Sequence, residues 1–155
     1  MQMLWFIPLA LIALAFIAIY TQNARVPALG HDHGQLKPLS KDPNGVSTQT
    51  DDPAKRVQPW PFKGDRSSTM QAIRNAVELY GNAEVQTQQD DYLYVVFVTK
   101  LMRYRDDAEF YLDDKTQQVH FRSKSRAGKS DLGLNAKRFA RLTELYQQAD
   151  VNAAQ

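Results

Sequence analysis

The densest concentration of ionisable and hydroxyl side chains lies between Asp106 and Arg138. Asp106, Asp107 and Glu109 set carboxylates close together, and Arg122, Ser123, Ser125, Arg126, Ser130, Asp131, Asn135 and Arg138 follow in one strand-loop-helix passage. Arginine forks beside free backbone N–H groups suit a carboxylate or a phosphate, so these residues form the candidate ligand site. The same residues admit two other readings. In a hydrolytic one, Asp106, Asp107 and Glu109 work with Arg122 and Arg126, with Ser123, Ser125 or Ser130 as nucleophile and His120 as base. No nucleophile there has a matching base: His120 alternates outward beside Arg122, and the loop holds no histidine. In a structural one, Ser125, Asp131 and Asn135 satisfy loop backbone and cap the next helix, while Arg126 or Arg138 closes onto Asp106. Gly128-Lys129-Ser130 has the ending of a phosphate-binding loop, but Ser123 stands where its leading glycine belongs, and no helix begins directly after it. Nucleotide binding is not expected.

The elements that carry these residues follow from periodicity. Ser68-Thr69-Met70-Gln71 has the form of a capping box; Met70, Ile73, Val77 and Tyr80 then recur at helical spacing until Gly81-Asn82. Strand character follows over Ala83–Gln88, Tyr92–Leu101, Asp106–Asp113 and Gln118–Ser125. Tyr92-Leu93-Tyr94-Val95-Val96-Phe97-Val98 is apolar at both parities and belongs in the middle of a sheet. Ala108, Phe110 and Leu112, then Val119 and Phe121, alternate with polar residues, which predicts one packed face and one wet face. A last helix spans about Leu134 to Gln148. Asp114 to Gln117 make a four-residue loop that sets Asp113 opposite Gln118, Glu109 opposite Arg122 and Asp107 opposite Lys124. The predicted fold over residues 64–150 is α+β, a four-stranded antiparallel meander with two helices on one face in the order α-β-β-β-β-α.

Ahead of this domain, residues 1–21 read as a transmembrane anchor. Met3 to Tyr20 carry no charge, and Trp5 and Tyr20 stand near the ends of the run, where aromatic rings favour head groups. Ile19-Tyr20-Thr21-Gln22 offers no small-residue cleavage site, so an uncleaved single-pass anchor is expected. The flanking charges favour a cytoplasmic domain, but the layout of short single-anchor chains favours a periplasmic or extracytoplasmic one, and the latter is the expectation. Residues 22–63, rich in proline, read as an extended linker ending in an arm, Val57-Gln58-Pro59-Trp60-Pro61-Phe62, packed on the domain surface. His31-Asp32-His33 lacks a rigid third ligand and reads as solvated linker. Residues 151–155 read as a disordered tail.

Composition narrows the functions. Nineteen Lys and Arg against 17 Asp and Glu leave a net charge of +2, which argues against nucleic acid as a partner. The chain has no cysteine, so thiolate metal sites and a cysteine nucleophile are absent; no metal and no cofactor are expected.

Two blocks carry a resemblance. Tyr104-Arg105-Asp106-Asp107-Ala108-Glu109-Phe110, and the run from Arg122 to Arg138, resemble the family called domain of unknown function 1499. The second block matches that family's pattern Arg-Ser-x-Ser-Arg-x-Gly-x-Ser-Asp-x-Gly-x-Asn-x-x-Arg at every fixed position, and the likeness extends from about Pro43 to Tyr146. The family usually shows Asn-Cys-Val-Ser-Ser where this chain has Asn44-Gly45-Val46-Ser47-Thr48. The resemblance implies a domain identity and no mechanism. The function expected is a membrane-anchored, non-enzymatic accessory or binding module that engages a small anion, a lipid head group or a protein partner through the Arg/Ser-rich loop. The alternatives are the hydrolase described above and a structural subunit pairing through a sheet edge.

Overall fold

The computed structural model describes residues 6–149. Helix α1 (Phe6–Ala24) leads into a hairpin of β1 (His31–Asp32) and β2 (Gln35–Leu36), then β3 (Gly45–Ser47) and β4 (Trp60–Pro61). Helix α2 (Arg66–Tyr80), strands β5 (Ala83–Gln88), β6 (Tyr92–Val98), β7 (Arg105–Asp113) and β8 (Gln118–Ser125), and helix α3 (Leu134–Gln148) complete the chain. The fold is α+β.

Strands β5 to β8 pair antiparallel in sequence order, and the β7–β8 register sets Asp113 on Gln118, Glu109 on Arg122 and Asp107 on Lys124. The expected four-stranded sheet is nonetheless a six-stranded one. Val46 pairs with Ser123 and Trp60 with Val119, so β3 and β4 cover the two halves of the β8 edge. Without them β8 would present a row of unsatisfied backbone groups. Gly45 permits the approach: a Cβ there would stand 2.5 Å from the Ser123 carbonyl oxygen.

One sheet face is closed by α2 and α3. Ile73, Val77, Phe139 and Leu142 join Leu93, Val95, Phe110, Val119 and Phe121 in one core. Trp60 belongs to that core and not to the surface: it is 4% exposed, stacks on Tyr146 at 4.6 Å and donates its indole N–H to Thr143 at 2.9 Å. The cap of α2 lies earlier than the capping-box pattern predicts. Asp65 is the N-cap, its carboxylate accepting the Ser68 N–H at 2.7 Å, and Ser68 lies inside the helix. A charged acceptor at the helix start satisfies an orphan N–H and complements the helix dipole. Gly81, at φ 80°, closes the other end with its N–H on the Val77 carbonyl.

The opposite sheet face is covered as well, which overturns the expectation of a wet face. Leu36 packs with Tyr92, Tyr94, Val96 and Val98, with Leu29 and Tyr111 beside them. The supposed linker is therefore part of the folded unit: its hairpin covers one face and its two short strands complete the sheet.

The anchor expected before it is also corrected. Among the described residues, no helix is long and apolar enough to cross a membrane. Helix α1 spans 19 residues, and its apolar run gives way to Thr21, Gln22 and Asn23. Its last turn is polar and fastened to the domain: Asn23 donates to the Arg103 carbonyl at 2.8 Å and accepts the Arg105 N–H at 2.7 Å. Residues 1–5, including Trp5, and the expected tail at 151–155 lie outside the described residues.

Candidate functional site

Strand alternation divides the candidate residues between the two sheet faces. Asp106 shares the parity of Ala108 and Phe110 and points toward the helices; Asp107 and Glu109 point the other way. The three carboxylates therefore do not form one cluster, and the hydrolytic grouping of Asp106 with Asp107 and Glu109 is not assembled.

On the helix side, Asp106 is 1% exposed and accepts from the Ser125 hydroxyl at 2.5 Å and from Arg138 Nη2 at 2.6 Å. Arg138 also donates to Asn135 Oδ1 at 2.8 Å and lies over the Phe97 ring at 4.7 Å. The Ser123 hydroxyl donates to the same Asn135 oxygen at 2.5 Å. The Asn135 amide nitrogen in turn reaches Asp131 Oδ2, Ser125 Oγ and the Asn44 carbonyl. Asp131 accepts the Gly133 and Asn135 backbone N–H groups, which fastens the loop to the start of α3. Buried polar groups keep their place only when paired, and this cluster satisfies nearly all of its members internally. It joins β3, β7, β8 and α3, with Asp106, Ser123, Ser125, Asn135 and Arg138 all buried. Ser130 stands apart, exposed, and accepts the Leu132 N–H.

On the other face, Glu109 is fully buried and accepts from the Tyr92 hydroxyl at 2.7 Å, the Gly30 N–H at 3.0 Å and Arg122 at 2.9 Å. Asp107 accepts from the Tyr94 hydroxyl at 2.5 Å and from Arg126 through Nε at 3.0 Å and Nη2 at 2.8 Å. Burial, reinforced by Asp107, pushes the Tyr94 hydroxyl up to about 12; burial and Glu109 raise that of Tyr92 as well. Burial works against the Arg126 charge, but the hydrogen bonds and charge of Asp107, with Tyr94, outweigh it and raise its pKa. Both hydroxyls thus stay protonated donors. Lys124, though opposite Asp107 in register, has no acidic partner among the described residues, because Arg126 already holds that carboxylate.

Beside this second network lies a pocket of about 410 Å³, lined by Gln22, Arg25, Pro27 and Leu29 on one side and by Asp107, Arg122, Lys124, Ser125 and Arg126 on the other. Arg122 is buried there, its side chain 7% exposed, and its Nε has no hydrogen-bond partner among the described residues. Arg25 forms no ion pair among the described residues. Four cations thus face a cavity with one carboxylate. Of the residues the sequence singled out, the pocket brings together Asp107, Arg122, Ser125 and Arg126, and it adds Gln22, Arg25 and Lys124, which the sequence pattern did not single out. The signal available was Tyr92–Val98, whose apolar residues at both parities require cover on both faces and so a segment folded over the arginines.

The remaining histidines do not build a reactive centre. His120 is half-buried, its Nδ1 3.3 Å from the Thr48 hydroxyl, and burial lowers its pKa against the opposing pull of Asp113. His31 packs on Tyr111 at 4.3 Å, whereas the His33 side chain is 97% exposed. Among the described residues, no cluster of three His, Asp or Glu could hold a metal ion.

The fold and site define an α+β domain whose central sheet carries an arginine-carboxylate network on each face, one sealed and one bordering a cationic pocket. The chain matches the family described as Protein of unknown function (DUF1499) over residues 35–145, and it belongs to that family. No curated protein matches the chain.

Proposed function

We propose that this protein is a binding module that holds a small anion in the pocket formed by Arg25, Arg122, Lys124 and Arg126. The observation that carries this reading is the lining of the pocket, which sets the side chains of Arg25, Arg122, Lys124 and Arg126 against one carboxylate, that of Asp107. Asp107 and Glu109 neutralise Arg126 and Arg122, which leaves Arg25 and Lys124 as the surplus charge. That surplus matches a dianion such as a phosphate monoester. The carboxylates that a hydrolytic reading would use as general bases, Asp107 and Glu109, are already engaged by several donors each, which favours binding over catalysis.

Calorimetric titration of the full chain with inorganic phosphate at low salt tests the proposal. Lys124→Ala and Arg25→Ala each remove one charged donor at the pocket surface. Each is expected to weaken binding about tenfold or more, since hydrogen bonds to charged groups contribute about 1.5–3 kcal/mol. Binding that is absent in the wild-type chain, or indifferent to both substitutions, rules the reading out.

A further inference from the structure

Resting on that reading, we infer that the anion is the head group of an amphiphile, a single phospholipid of the phosphatidic acid type whose acyl chains run along α1. The position of the pocket carries the inference. Gln22 and Arg25, at the polar end of α1, form part of its wall, and Asn23 between them is fastened to the domain. Immediately before this polar turn, α1 is apolar and exposed on all sides: Leu9 is 63% exposed, Leu11 61%, Leu14 60%, Phe16 54% and Ile17 58%.

The stripe aligned with Gln22 is set by helical spacing. Leu11, Ala15 and Ala18 lie eleven, seven and four residues before Gln22, and all are exposed. The small Ala15 and Ala18 side chains leave room for a chain to rest close to the helix backbone directly above the pocket. Tyr20, 75% exposed at the boundary, supplies the amphipathic ring that favours a head-group level. A phosphate with two negative charges in the pocket would place its glycerol at Gln22 and its chains on this stripe. Charge below and apolar surface above are complementary to one molecule and not to a free inorganic ion.

The test compares four water-soluble probes on the full chain by calorimetry. These are inorganic phosphate, glycerol 3-phosphate, dihexanoyl phosphatidic acid and dihexanoyl phosphatidylcholine, each lipid kept below its micelle concentration. Dihexanoyl phosphatidic acid is expected to bind at least tenfold more tightly than glycerol 3-phosphate, and the phosphatidylcholine more weakly than the phosphatidic acid. Leu11→Asn with Ala18→Asn should abolish the gain from the chains while leaving glycerol 3-phosphate affinity unchanged; both positions are exposed, so the fold is not at stake. Equal affinity for phosphate, glycerol 3-phosphate and the phosphatidic acid would overturn the lipid inference and leave the anion site standing. Failure of every phosphate probe would remove the anion site itself. Phosphatidylcholine binding as tightly as the phosphatidic acid would overturn the role of the cationic pocket in lipid recognition.

Discussion

Replacing Glu109 by Gln should destabilise the domain severely, although the two side chains have nearly the same shape. The carboxylate is fully buried and serves three donors, Tyr92, Gly30 and Arg122, from β6, the covering segment and β8. Glutamine keeps one acceptor oxygen but turns a donor toward groups that are themselves donors, and it leaves the Arg122 charge without its counter-ion. Removing one member of a buried ion pair costs about 3–5 kcal/mol, and the retained volume and oxygen place this substitution near 3 kcal/mol. With a urea dependence of roughly 1–3 kcal/mol per molar, the unfolding midpoint should fall by about 1–3 M. Trp60, buried and stacked on Tyr146, provides the fluorescence signal. A companion variant, Glu109→Leu with Arg122→Met, removes both charges and should recover at least about 1 kcal/mol of the loss, since an apolar replacement of a buried pair is often nearly neutral. A midpoint shift below about 0.3 M for Glu109→Gln would show instead that Arg122 does not depend on that carboxylate.

Other consequences are equally accessible. Gly45→Ala should cost about 1–3 kcal/mol in the same urea assay, because the added Cβ meets the backbone of β8 and must push β3 away. Trp60→Ala should cost about 3–5 kcal/mol, monitored by circular dichroism, since it leaves a cavity in the core and removes the indole donor from the Thr143 hydroxyl. Stability should be intact below pH 10 and fall as pH rises through about 12. The folded state holds the Tyr94 and Tyr146 hydroxyls up to about 12 while the unfolded chain releases those protons near 10.0. Phenolate absorbance that rises in one step near pH 10, with no loss of stability, would contradict that assignment.

The sequence announces the parts of this fold that repeat. Alternation in Asp106–Asp113 and Gln118–Ser125 is sufficient to give the hairpin and its register, and Leu134 to Gln148 is a helix in both readings. Segments whose structure depends on a distant partner leave no such trace. Gly45–Ser47 and Trp60–Pro61 are too short for any period, and they are strands only because the β8 edge is there to receive them. The same holds for the site. The Arg122–Arg138 block marks a polar centre, but the side on which each residue points separates a sealed bracket around Asp106 from an open pocket around Arg122. Arg25 joins that pocket through the fastening of Asn23 to residues 80 and 82 positions along the chain, which no local pattern encodes.

The central claim is that the face bearing Arg122 and Lys124 takes an oxyanion. Amide chemical shifts followed by NMR during titration of the full chain with inorganic phosphate address it residue by residue. Saturable shifts are expected at Gln22, Arg25 and Lys124 to Arg126, with Asn135 and Ser130 unmoved. Shifts confined to the exposed loop around Lys129 and Ser130, or no saturable change at Lys124, would contradict it.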